Sequence, residues 1–201
     1  MPDDRLLLER AQAFEPNALA SIYDQYADRI YRYIYRYLGH VGLSEDLTGE
    51  VFTRLLEATD KGNGPRTNLS AWLYRVAHNL VVDHFRQQSR MEGLPLEEGL
   101  MAAPDDPTAV VEKRLAQQQL RAAISLLTPD QQQVVVLKFV EGFSNREVGE
   151  ILGKREGAIK SLQHRALASL QRILKRENLR PTSDVGKTGD VEEEWSAGTK
   201  G

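Results

Sequence analysis

Apolar residues recur along this chain at spacings of three and four, the period of helices buried on one side, and the strict alternation of a half-buried strand is nearly absent. The pattern falls into two helical blocks separated by a stretch without periodicity. The expected fold class is therefore all-α: two small helical domains joined by a flexible linker, the second a four-helix domain. The expected boundaries are 1–90 for the first domain, 91–109 for the linker, 110–176 for the second domain and 177–201 for a tail.

The first block opens with a short helix around residues 6–14. Pro16 and Asn17 then introduce a long helix over 18–38, whose buried stripe is Ile22, Tyr26, Ile30, Tyr33, Ile34 and Tyr37. Gly39 and Gly42 bracket a turn. Ser44 is the expected cap of the next helix, with Glu45 and Asp46 at its positive end. Leu47, Val51, Phe52, Leu55 and Leu56 line one face of that helix. A breaker-rich loop, Asp60-Lys61-Gly62-Asn63-Gly64-Pro65, precedes a helix that starts near Leu69 or Ser70. This helix buries Trp72, Leu73, Val76, Ala77 and Leu80 and ends basic around 86–90.

Between 91 and 108 five Gly and Pro residues sit among acidic ones, the composition of a linker. The second block has explicit helix starts. Thr128-Pro129-Asp130-Gln131 offers a capping Thr, Pro at the first helical position and Gln at the reciprocal position. Ser144-Asn145-Arg146-Glu147 is a capping box, and Gly142 and Gly153 stand where helix C-terminal glycines belong.

The segment 144–165 predicts two short helices joined by a tight turn, a helix-turn-helix, which places its second helix in a DNA major groove. On that helix Ile159, Leu162, Ala166, Leu170 and Ile173 form the buried stripe. Lys160, Ser161, His164 and Arg165 form a compact polar patch, with Gln163 flanking. Lys and Arg reach phosphate or guanine edges, and Ser and His hydrogen-bond to either. Six of the seven tyrosines lie between Tyr23 and Tyr37, interleaved with Arg32 and Arg36. On one helix they cannot all face a single core, so part of this run reads as an interface. The helix over 70–90 carries His78, Asn79, Asp83, His84 and Arg86 on a polar side suited to unpaired bases.

Composition narrows the classes. The 201 residues are 41% hydrophobic and 27% charged, as in ordinary globular chains. The net charge is −3. The tail after residue 180 holds five acidic residues against two lysines, which accounts for all of it and leaves a near-neutral body free to carry basic faces. With no cysteine, disulfides and thiolate metal sites are excluded. The N-terminus lacks the pattern of a signal peptide, and no apolar run reaches the ~20 residues of a membrane helix. The expectation is a cytoplasmic protein without membrane insertion. The four histidines lack metal-ligand spacing, and Gly153-x-x-x-Gly157-x-x-Lys160-Ser161 lacks the spacing and the preceding strand of a phosphate loop. No activated nucleophile or carboxylate pair stands out, so no enzyme, metal or cofactor is expected.

These residues resemble a family, the extracytoplasmic-function sigma factors of bacterial RNA polymerase, over about 18–90 and 115–174. The segment Glu45-Asp-Leu-Thr-Gly-Glu-Val-Phe52 is similar to the family's polymerase-binding segment. Ala71-Trp-Leu-Tyr-Arg-Val-Ala-His-Asn79, with Asp83 and Arg86, is similar to its downstream-promoter segment. Leu127-Thr-Pro through Glu141-Gly-Phe-Ser144 to Arg165 is similar to its upstream-promoter domain.

The resemblance implies a sigma factor that binds core RNA polymerase and directs it to promoter DNA, with an anti-sigma factor as a further partner. It implies polymerase contacts at Tyr26, Tyr33, Asp46, Glu50 and Phe52. Melting and reading of the −10 element would fall to Asn68, Trp72, Asn79, Asp83 and Arg86. Reading of the −35 element would fall to Arg155, Lys160, Ser161, His164 and Arg165. Residues 91–108 would lie near the RNA exit path. Gly49, Ala158 and Leu162 depart from the family's frequent residues, and the acidic tail lies outside its minimal plan. Two other readings fit parts of the chain: a stand-alone helix-turn-helix regulator, or a helical protein-binding adaptor.

Overall fold

The computed structural model describes residues 3–92, 119–120 and 122–178, and every regular element among them is helical. The first block comprises α1 (Asp3–Gln12), α2 (Pro16–Leu38), α3 (Val41–Asp60) and α4 (Leu69–Glu92). The second comprises a short helix α5 (122–125), α6 (Pro129–Val135), which runs into a π turn (Val136–Val140), α7 (Asn145–Leu152) and α8 (Glu156–Asn178). Helix α4 takes in residues 91 and 92 of the expected linker, and α8 residues 177 and 178 of the expected tail; the rest of both lies outside the described residues.

The apolar stripe of α2 does what its spacing predicts. Ile22, Tyr26, Ile30, Tyr33, Ile34 and Tyr37 are all buried, against Val51 and Leu55 of α3 and Leu73, Tyr74 and Ala77 of α4. Gly39 ends α2 in the left-handed conformation and donates its N–H to the Tyr35 carbonyl. The next cap differs from the expected one. His40, not Ser44, caps α3, its Nδ1 accepting from Leu43 N–H at 3.1 Å. Ser44 falls one turn inside the helix, fully buried, and its hydroxyl donates to the His40 carbonyl. The Gly42 turn is absorbed into α3, because His40 supplies an acceptor several residues earlier than the sequence pattern suggests.

The second block keeps closely to its punctuation. Ser144 and Glu147 form the reciprocal box at the start of α7: the Ser144 Oγ accepts from Glu147 N–H at 3.2 Å, and the Glu147 carboxylate accepts from Ser144 N–H at 2.7 Å. Gly153 closes α7 at φ 64. Between α7 and α8 the chain doubles back so tightly that a Cβ on Gly149 would lie 2.6 Å from the Lys154 carbonyl oxygen.

The two blocks pack on each other. Leu137, Phe143, Val148 and Ile151 of the second block join the same buried cluster as Tyr33, Leu73 and Tyr74 of the first. The π turn arranges this. Glu141 N–H bonds to the Val136 carbonyl, five residues back, at 3.0 Å. One extra residue in a turn rotates the succeeding residues by about 100°. Gly142 then reverses the chain at φ 82. Glu141 and Phe143 are thereby delivered to α2 and α4, and the Phe143 ring sits edge-on to Tyr74 with centroids 4.9 Å apart.

His78 of α4 is enclosed by this packing. Its Nδ1 is 3.3 Å from the Tyr33 hydroxyl. Burial, with Lys154 of the second block adding to it, lowers its pKa to about 4.

Two glycines of this fold should respond to the same substitution with opposite signs. Gly49 is helical with open space around its Cβ position, so Gly49→Ala should raise stability by about 1 kcal/mol. Gly149→Ala makes the same chemical change against a backbone carbonyl and should lower stability by about 1–3 kcal/mol. Denaturant titration of the two variants checks the signs.

Stability should also depend on pH through His78. The folded chain holds this imidazole neutral down to about pH 4, whereas the unfolded chain protonates it below its ordinary value of 6.5. The stabilisation is complete above that value and is lost as pH falls through the window, on the order of 3 kcal/mol at most. His78→Gln should flatten the stability curve between those two pH values in the same titration.

Candidate nucleic-acid interfaces

The first candidate face lies on α8. Ile159, Leu162, Ala166 and Leu170 are buried, which turns Lys160, Ser161, His164 and Arg165 outward, and all four are exposed. Arg155 is exposed at the residue before the helix. Leu162 is 8% exposed and packs inward, so it is a core residue and presents nothing to a groove. Lys160 is held by Glu156 at 2.8 Å on its own helix, and the hydrogen bond from Lys160 keeps the Glu156 carboxyl below its ordinary pKa. The pair is exposed, so exchanging it for a phosphate contact costs little.

The second face lies on α4. Trp72, Asn79, Asp83 and Arg86 recur at helical spacing on one side, and Arg75 stands among them, exposed. Arg75 is a new member of the set, absent from the residues expected there. Its position between Trp72 and Asn79 in the same stripe is the signal that would have found it. Asp83 and Arg86 are 3.9 Å apart, so the acid partly offsets the base.

Asn68 has a structural task in addition to the expected one. Its Oδ1 accepts from Ala71 N–H at 3.0 Å and so caps α4, while its Nδ2 donates to Glu147 of α7 at 2.7 Å. Pro65, Asn68, Trp72 and Arg75 line a cleft of about 170 Å³. Its remaining wall includes Glu150, from the second block.

The expected polymerase-binding residues do not form one patch. Tyr26 and Tyr33 are 2% and 0% exposed and belong to the core of the first block, which corrects their assignment to a docking surface: the α2 stripe is wide enough to draw both rings inward. Asp46 lies on the outer face of α3, with Glu50 one turn on and tied to Arg54 at 2.8 Å. Phe52 is on the other flank, 8% exposed beneath Tyr23, with ring centroids 4.8 Å apart. Tyr23 itself is half exposed and is the aromatic that α2 presents to solvent there. The aromatic-basic run is thus split three ways. Tyr33 and Tyr37 are core, Tyr31 and Tyr35 stack on each other at 5.8 Å, and Arg36 faces the second block.

Comparison with known proteins matches two regions of the chain to family models. The family model for sigma-70 region 2 matches residues 22–91, and that for sigma-70 region 4 matches residues 117–170. The ECF RNA polymerase sigma factor BldN of Streptomyces coelicolor is 41% identical over 172 residues, covering 84% of this chain and 64% of the relative. The ECF RNA polymerase sigma factor SigW of Bacillus subtilis is 32% identical over 181 residues, covering 84% of this chain and 95% of the relative. The chain thus spans under two thirds of the length of BldN but nearly all of SigW. Among solved structures, the sigma factor RpoE of Bartonella quintana, in complex with the anti-sigma factor NepR, has the same fold. Its TM-score is 0.61 at 22% identity, covering 78% of this chain and 96% of that one. No helix among the described residues is long and apolar enough to cross a membrane. The two matched regions, in this order and at this identity, establish that the chain belongs to the family of ECF RNA polymerase sigma factors.

Proposed function

We propose that this protein is an alternative sigma factor that binds core RNA polymerase and directs it to a subset of promoters. The observation that carries the reading is that one chain bears two differently built polar faces, one on α8 and one on α4. The α8 face, Arg155, Lys160, Ser161, His164 and Arg165, is small and convex and suits the major groove of a duplex −35 element. The α4 face, with a half-buried indole beside an arginine and an asparagine, suits an unpaired −10 strand and a base extracted from it. A stand-alone regulator needs only the first face, and a protein-binding adaptor needs neither.

The polymerase takes up Asp46, Glu50, Phe52 and, in place of the two buried tyrosines, Tyr23. The protein performs no bond chemistry, works in the cytoplasm and is held in check by an anti-sigma factor. The division at 1–90 and 110–176 lets each domain engage its element separately, and tethering multiplies two weak affinities. The test of the class is run-off transcription with purified core polymerase on genomic promoter fragments. Specific transcripts that require the added chain are the expected result, and their absence with every fragment counts against it.

With a cognate promoter in hand, Lys160→Ala and Arg165→Ala should each weaken holoenzyme binding by about 1–3 kcal/mol. Loss of a phosphate contact should also lower the salt dependence by about one ion. Asn79→Ala and Arg75→Ala change exposed side chains and should leave the fold intact. Each should reduce strand opening several-fold, read as permanganate reactivity of thymines at the −10 element, with duplex binding through α8 unchanged.

A further inference from the structure

Along α2, α3 and α7 exposed cations are tied to carboxylates one turn away: Arg32 to Asp28, Arg54 to Glu50, Lys61 to Glu57 and Arg146 to Glu150. Helix α8 is built differently. Residues 157–176 hold five cations, Lys160, Arg165, Arg172, Lys175 and Arg176, and no carboxylate. All five are exposed. At about 100° per residue they fall within one arc of roughly 160°, opposite the buried Ile159, Leu162, Ala166 and Leu170. Among the described residues, Lys160 alone of the five has a carboxylate partner, Glu156 at 2.8 Å. Arg165 and Arg172 turn back on their own helix, to the Ser161 and Ala168 carbonyls. The strip runs about 24 Å from Lys160 to Arg176 at 1.5 Å per residue. A recognition helix reads base edges with its N-terminal part, so base reading leaves Arg172, Lys175 and Arg176 without a task.

The matching charge is carried by the same chain. Beyond residue 178 the sequence holds Asp184, Asp190 and the run Glu192-Glu193-Glu194, followed by Trp195. About 14 residues lead from Asn178, the end of α8, to Glu192, a reach of up to about 50 Å. That is twice the length of the strip, so the run can double back over any part of it. Three adjacent carboxylates suit guanidinium and ammonium groups that have no acid of their own. An indole beside arginines adds a cation–π attraction. A segment joined through a short linker meets its target at an effective concentration on the order of millimolar, enough to populate a contact that is weak in itself.

We infer that Glu192–Glu194, with Trp195, bind the basic strip of α8 and compete there with the phosphates of duplex DNA. This rests on the proposed role of α8 as the −35 face. Displacing the tail weakens binding to every duplex by the same factor. A cognate promoter, held also through α4 and the polymerase, stays occupied, while non-specific duplex, held by phosphate contacts alone, is released.

The test uses the full chain. It has no cysteine, so a nitroxide can be placed on Ser196→Cys alone. In 15N-labelled protein at low salt this label should broaden the amide signals of residues 160–176. The broadening should vanish in the triple variant Glu192→Gln, Glu193→Gln, Glu194→Gln and persist when the same three residues become Asp. The second measurement is the anisotropy of a fluorescein-labelled duplex of about 25 base pairs and arbitrary sequence, long enough to span more than two helical turns. The triple Gln variant should bind it about tenfold more tightly than wild type, the gain when the effective concentration is ten times the contact's own dissociation constant. Deleting residues 181–201 should do the same, and the gap should narrow as salt is raised.

Absence of broadening on α8 overturns the inference. So does broadening passed from a spin-labelled chain to an unlabelled neighbour, which would make a second copy the occupant. Neither measurement uses polymerase, and Arg165→Ala in the truncated chain separates the two readings. If that substitution weakens duplex binding but freeing α8 of the tail does not strengthen it, the inference falls and the −35 face stands. If Arg165→Ala changes nothing, the proposed role of α8 falls, and the competition with it.

Discussion

A single carboxylate, Glu141, sets how the two halves of this molecule sit against each other. It is almost fully withdrawn from water, so it must be matched, and its partners are Arg36, Arg29 and the Tyr74 hydroxyl, all from the first block. Apolar contacts could be satisfied in many registers. A buried charge has few acceptable positions, and leaving it unpaired costs about 3–5 kcal/mol. The neighbouring contacts, Phe143 on Tyr74 and Asn68 on Glu147, fall into place around it.

The carboxylate reaches that position through local backbone features. The π turn over Val136–Val140 rotates the chain, and Gly142 in the left-handed region reverses it. A regular α6 carried through to residue 141 would aim the same side chain about 100° away. On the far side of α7 the absence of a Cβ at Gly149 lets α7 and the start of α8 come close, which fixes the angle between the helices of the helix-turn-helix. The same eight-residue helix α7 thus faces α8 with its small residue and α4 with its acids.

Much of this is legible in the chain. The α2 and α8 stripes, the Ser144–Glu147 box and the left-handed glycines at 142 and 153 are local devices, and each forms where its residues predict. The outward set Lys160, Ser161, His164 and Arg165 derives from the α8 stripe alone, because a helix with one buried side leaves only one other. The departures from expectation share a cause. Ser44 has the right residue type for a cap, but a histidine four residues earlier is available and takes the role. Tyr26 and Tyr33 have a residue type favoured at interfaces, but type does not say which side of a crowded helix is covered. Asn68 carries two duties, a helix cap and a link to α7, and only the first is local.

The helices, most of their caps, their buried sides and membership of the sigma-factor family can all be read along the chain, because they depend on neighbours within a few residues or on motifs taken in order. Three-dimensional packing was needed to show that the two blocks share a core, that Arg36 and Glu141 are partners 105 positions apart, and that acids of α7 lie over the cleft beside Trp72. The physical reason is that charge pairing and burial between distant segments act through space. No period, cap or composition along the chain records which of its many carboxylates will be the one withdrawn from water.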